Sequence, residues 1–134
     1  MIDTRALPAN LFIGGAWVPS SSGARIDVLD PATGLSIASV ADATVDDGLA
    51  AVAAAHTAFP GWAATPPRER GEVLRRAFEL MTARVEWFAE LISRENGKAL
   101  PDARGEVRYA AEFFRWFAEE AVRATGDLRV APAG

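Results

Sequence analysis

The chain has 134 residues, of which 50% are hydrophobic and 24% charged, with a formal net charge of −4 and no Cys. This composition is globular rather than disordered, and its acidic balance argues against a general affinity for nucleic acid, which needs a surplus of Lys and Arg. The lack of Cys excludes a disulfide scaffold, a thiolate nucleophile and a Cys-ligated metal within this stretch. Residues 1–10 carry Asp3 and Arg5 and have no apolar run of signal-peptide length. No segment approaches the roughly 20 apolar residues of a membrane span, so no membrane partner is expected and the expected compartment is the cytosol.

The first 43 residues read as strands and turns. Leu11-Phe12-Ile13 and Ala16-Trp17-Val18 flank Gly14-Gly15, a hairpin signal because primed turns need positive φ. A Pro-Ser-Ser-Ser-Gly loop follows at 19–23. Arg25 and Asp27 then alternate with Ile26 and Val28, which predicts a strand with one buried and one wet face. Asp30-Pro31-Ala32-Thr33-Gly34 is a turn, and residues 35–40 form the next strand.

From Thr44 the apolar period changes from two to about 3.6, and residues 44–126 read as four helices. Thr44 with Asp47 makes an approximate capping box. Val45, Leu49, Val52, His56 and Phe59 share one face of the first helix, which Pro60-Gly61 is expected to end. Thr65-Pro66 opens the second, whose stripe is Val73, Ala77 and Leu80 beside Leu74, Phe78 and Met81. A third, over 84–95, presents Phe88, Leu91 and Ile92, and Asn96-Gly97 closes it. The fourth should run over 102–125, roughly 35 Å, and stop at Gly126. Ala103, Val107, Ala110, Phe114, Phe117 and Ala121 form its apolar stripe, and Arg104, Arg108, Glu112, Arg115, Glu119 and Arg123 its charged face. Ion pairs there contribute only about 0.2–0.5 kcal/mol each, against about 1.5–3 kcal/mol for a buried Phe, so the aromatics are expected to hold the helix in place. A further strand starts at Asp127. The fold class is therefore α/β: β-hairpins (1–43), then helices (44–126), then the start of a strand (127–134), a single incomplete segment.

No residue set carries a complete chemistry. The lone His56 lacks a second ligand at metal spacing and reads as a packed or capping side chain. Gly14-Gly15 is followed by a strand where a dinucleotide fingerprint needs a helix. Asp46 and Asp47 lie in a first helical turn, where acids favour the dipole, and Glu119 belongs to the charged face. Glu106 and Glu120 flank the apolar stripe and are harder to assign to it. Tyr109, Phe113 and Phe117 form a second line beside that stripe and could face a cavity that the rest of a larger protein completes. A stand-alone helical interaction module without chemistry is the competing reading.

Taken in order, Ile13-Gly14-Gly15-Ala16-Trp17, Asp30-Pro31-Ala32-Thr33-Gly34, Ala58-Phe59 with Trp62, and Glu95-Asn96-Gly97-Lys98 resemble the amino-terminal segment of the NAD(P)-dependent aldehyde dehydrogenase superfamily. The stretch 103–126, with Glu106-Val107, Tyr109-Ala110-Ala111 and Trp116-Phe117-Ala118-Glu119-Glu120, most resembles its succinate-semialdehyde dehydrogenase branch. The resemblance implies a parent chain several times longer, a homo-oligomer that binds NAD or NADP and oxidises an aldehyde. In that family a Cys attacks the aldehyde, hydride leaves to the nicotinamide, and a Glu base activates water to hydrolyse the thioester. An Asn side chain and a backbone N–H stabilise the oxyanion. Those residues and the main cofactor contacts would follow Gly134, so this segment is expected to hold no catalytic or cofactor-binding residue. Two roles carry over. Tyr109 and Phe113 fall at or near the positions lining the aldehyde tunnel, and Val28, Leu29 and the Glu95 side chain match a structural monovalent-cation site.

Overall fold

The computed structural model describes residues 7–126 and 130–132. Strands β1 (Leu11–Ile13) and β2 (Ala16–Val18) pair antiparallel, with Phe12 opposite Trp17. Gly14 and Gly15 turn the chain at φ 61° and 84°, the left-handed pair that a two-residue hairpin loop requires. Strands β3 (Arg25–Leu29) and β4 (Ser36–Ala41) form a second antiparallel pair, with a register shift between Val28 and Leu29. Their connection closes on Asp30, whose carbonyl accepts from the Gly34 N–H and whose carboxylate accepts from the Ala32 N–H. Ile26, expected on a buried face, is exposed.

Helix α1 (Val45–Ala64) starts as the sequence predicts. Thr44 and Asp47 form a reciprocal capping box, which satisfies two of the N–H groups that a helix start leaves open. It does not stop at Pro60, which lies inside it. A Pro in a helix loses one hydrogen bond but keeps a helical φ. The last turn continues past Pro60, and Trp62, 47% exposed, lines a groove with Leu74 and Phe117. Thr65 closes the turn, its N–H donating to the Trp62 carbonyl and its hydroxyl to that of Gly61. Helix α2 (Pro67–Thr82) accordingly begins one residue later than predicted, with Pro66 as cap and Pro67 at its first position.

Helix α3 (Val85–Asn96) ends on Gly97, which is left-handed at φ 77°. Helix α4 (Leu100–Glu120) starts two residues before the expected Asp102 because Pro101 sits in its first turn, where a missing N–H is harmless. It passes into a 3₁₀ turn, Ala121–Arg123, instead of running to Thr125. The strand expected from Asp127 falls at 127–129, outside the described residues.

The core lies where α4 meets α2 and α3. It is built from small side chains: Ala89, Ala103 and Val107 form a buried cluster with Val85, Phe88 and Ile92 packed against it, and Ala111 is buried further along α4. This corrects the expected stripe. Phe114 is 36% exposed and Phe117 54% exposed, so the aromatics do not anchor α4 within this chain. The reason is distance: a Cβ at Gly71 of α2 would lie 2.9 Å from the Ala118 carbonyl oxygen of α4. Helices that approach this closely admit Gly and Ala between them and turn larger rings aside. Of the α2 stripe, Leu74, Ala77, Phe78 and Met81 are half-buried, while Val73 and Leu80 are exposed. The face of α1 carrying Val45, Leu49, Val52 and Phe59 is likewise exposed. On the charged face Arg115 bridges Glu112 and Glu119, whereas Arg104 leaves the expected ladder and forks onto Glu86 of α3 at 2.8–3.0 Å.

Candidate functional site

The aromatic face that α4 turns away from its neighbours carries Tyr109 and Phe113, the two residues matched to the aldehyde tunnel. Tyr109 and Phe113, one helical turn apart, meet edge to face with ring centroids 5.0 Å apart, the geometry that aromatic quadrupoles favour. With Glu112, Trp116 and Phe117 they line a shallow apolar groove of about 370 Å³. Tyr109 is 67% exposed. The arrangement offers an apolar wall with one phenol hydroxyl at its rim.

The residues matched to a cation site are partly brought together. Val28 of β3 and Glu95 near the end of α3 line one cavity with Arg25 and Ser39, and Leu29 follows directly at the register shift. One carboxylate with backbone carbonyls is a hard-oxygen donor set, which suits an alkali or alkaline-earth ion rather than a soft metal. The Arg25 guanidinium is turned to β4 and the amino-terminal stretch, donating to the Ser39 hydroxyl and to Asn10 and Ala9. Among the described residues no group of three His, Asp or Glu side chains converges on a metal position.

The acids left unassigned by the sequence are engaged. Glu106 pairs with Lys98, and Glu120 with Arg123. His56 is exposed. Asp47 does more than cap α1: its carboxylate also accepts from the Ser20 hydroxyl and the Ser21 N–H, each at 3.2 Å. The Thr44 N–H at 2.8 Å, opposed by burial and reinforced by the Ser21 N–H, holds its carboxyl down at about 2.

Spacing and pattern give Arg70 no role, and the structure sets it apart. Its Nε is buried and has no hydrogen-bond partner among the described residues. It lies in a second groove with Trp62, Leu74, Phe117 and Glu120. A signal was present: Arg70 stands in the first turn of α2, where the helix dipole disfavours a cation.

The aldehyde dehydrogenase family profile matches residues 17–133. The chain is 41% identical over 127 residues to succinate-semialdehyde dehydrogenase [NADP(+)] 1 of Schizosaccharomyces pombe, covering 95% of this chain and 26% of that one. It is 54% identical over 98 residues to the succinate-semialdehyde dehydrogenase of Paenarthrobacter nicotinovorans, covering 73% and 22%. Its fold superposes on the crystal structure of an aldehyde dehydrogenase from Brucella melitensis biovar abortus 2308 with a TM-score of 0.89 at 40% identity, covering 93% of this chain and 26% of that one. The chain thus spans about a quarter of the length of each of these relatives. By profile, identity and fold, the chain belongs to the aldehyde dehydrogenase family.

Proposed function

We propose that the chain is the amino-terminal part of an NAD(P)-dependent enzyme that oxidises succinic semialdehyde to succinate. The observation that carries this is the collinear identity to succinate-semialdehyde dehydrogenases over almost the whole chain. The net reaction turns aldehyde and water into carboxylate, with two electrons leaving as hydride. Bound NAD or NADP supplies the hydride acceptor. The nucleophile must come from elsewhere in the parent, because this segment has no Cys. The parent is read as a cytosolic homo-oligomer. Among the described residues no helix is long and apolar enough to cross a membrane.

Within that reading Tyr109 and Phe113 form one wall of the aldehyde entrance, the rings excluding water and the phenol facing the wet end. The full-length parent should form NAD(P)H from succinic semialdehyde, and the purified 134-residue chain should form none. In the parent, Tyr109→Ala should raise KM and alter preference over an aldehyde series. Its effect on stability should be no more than about 1.5 kcal/mol, the worth of its edge-to-face contact with Phe113. An early melt with unchanged aldehyde preference would make Tyr109 a packing residue and sink the assignment.

Val28, Leu29 and Glu95 are proposed to hold a monovalent cation through two carbonyls and one carboxylate. A ligand that binds only the folded state raises the melting temperature with its concentration. Replacing choline by sodium or potassium should therefore raise the melt of the parent, and Glu95→Ala should remove that dependence. An equal salt response in both proteins refutes the site.

A further inference from the structure

We infer that the groove between the end of α1, the start of α2 and the end of α4 is a docking surface for the remainder of the parent chain, which seats an Asp or Glu carboxylate on Arg70. The inference rests on the parent being longer than this segment, as its relatives are about four times the length of the matched region.

Three observations carry it. First, the buried Nε of Arg70 has no partner among the described residues. A buried donor left unmade is unfavourable, and a charged one more so. Second, the walls are apolar and open: Trp62 is 47% exposed and Phe117 54% exposed, on either side of Leu74. The groove holds about 470 Å³, enough for a side chain and its neighbours. Third, the same structure shows how an Arg in this bundle is satisfied from another element. Arg104 takes the Glu86 carboxylate side-on, through Nε and Nη2. Arg70 carries the same fork, with its Nε closed to solvent in this segment, so the arriving carboxylate has to displace what covers it. A carboxylate arriving between Trp62 and Phe117 would take it bidentate, while the ring faces cover its stem.

Glu120 is the acid inside the groove, and it is engaged with Arg123 one turn on, an exposed pair. Were Glu120 the true partner of Arg70, the latch would be internal to this segment and no docking would be needed. The two cases differ in what they predict.

The test uses the full-length parent. Hydroxyl-radical footprinting should find Trp62 and Phe117 strongly protected relative to the urea-unfolded parent. Oxidation of both rings at the unfolded rate would overturn the proposal without any variant having to fold. Arg70→Met keeps the apolar stem and removes the fork. It should lower the thermal midpoint by several degrees, and Arg70→Lys should be intermediate because it retains charge without the fork. Glu120→Gln should leave the midpoint unchanged and should not interact with Arg70→Met in a double-mutant cycle. Strong coupling between the two positions would assign the latch to Glu120 and overturn the proposal. Aldehyde oxidation is scored separately. An inactive parent with protected rings and an Arg70-dependent melt keeps the docking surface and loses the enzymatic reading, and an active parent with exposed rings does the reverse.

Discussion

Helix α1 and the α2–α4 bundle are neighbours in sequence and are held by different physics. In the bundle, Gly71 faces Ala118 and Ala121 closely enough that backbone meets backbone, and Ala89, Ala103 and Val107 fill the seam with α3. Dispersion between close-packed small groups does the holding there. Helix α1 leaves Val45, Leu49, Val52 and Phe59 exposed. It is fixed at its start by a carboxylate clasp on the 19–23 loop and touches the groove at its end through Trp62. An apolar stripe of helical period is therefore no guide to what is buried within this segment. In α4 the buried line carries the smaller residues, and the larger ones face outward.

The two regions differ most at their glycines. In an exposed helix interior, Gly→Ala normally stabilises by about 0.5–1 kcal/mol. Gly48→Ala in α1 should do so, because nothing lies within 4 Å of a Cβ built there. Gly71→Ala should reverse the sign and destabilise by about 1–3 kcal/mol through overpacking, since its Cβ would meet the Ala118 carbonyl oxygen at 2.9 Å. Urea unfolding of both variants measures the difference. Equal stabilisation by the two would show that α2 and α4 do not approach as closely as described.

What the sequence disclosed follows from how local each cause is. The Gly14-Gly15 hairpin, the Thr44–Asp47 box and the left-handed cap at Gly97 are decided within a few residues, and the structure reproduces them. Pro60 lies inside the helix and not at its end, because a Pro keeps a helical φ and removes a single hydrogen bond, so Pro-Gly at this point does not by itself stop the helix. The α4 stripe was misread because periodicity shows that a face is apolar without saying which neighbour covers it. Tyr109 and Phe113 were legible as a pair at helical spacing. The Val28–Glu95 cavity joins a strand to a distant helix end, and only the family resemblance brought those positions together. Arg70 is a cation in a first turn, as is the exposed Arg68, and spacing alone does not say which of the two has its Nε buried.

Acid should separate the two regions again, with a smaller effect. The Asp47 carboxyl is held at about 2 against an ordinary 3.8, first by the Thr44 N–H, against burial, and then by the Ser21 N–H. Between those two values the unfolded chain binds a proton that the folded chain does not, so stability rises with pH across that interval. The contribution of the clasp is complete above about 4 and is lost as pH falls toward about 2. The seam side chains Ala89, Ala103 and Val107 do not titrate; the Arg104–Glu86 fork across α3 and α4, which holds the Glu86 carboxyl below its ordinary value, weakens in the same direction but lies on the exposed side of the seam. Amide hydrogen exchange in the full-length parent should show the first turn of α1 losing protection across this range before the α3–α4 seam does. Asp47→Asn should make the first turn weaker at neutral pH and flat with pH, because an amide keeps the shape and loses the charge that the three donors favour. If the wild-type first turn keeps its protection down to pH 2, or if Asp47→Asn retains the same acid slope, another acid governs the start of α1 and the clasp is incidental.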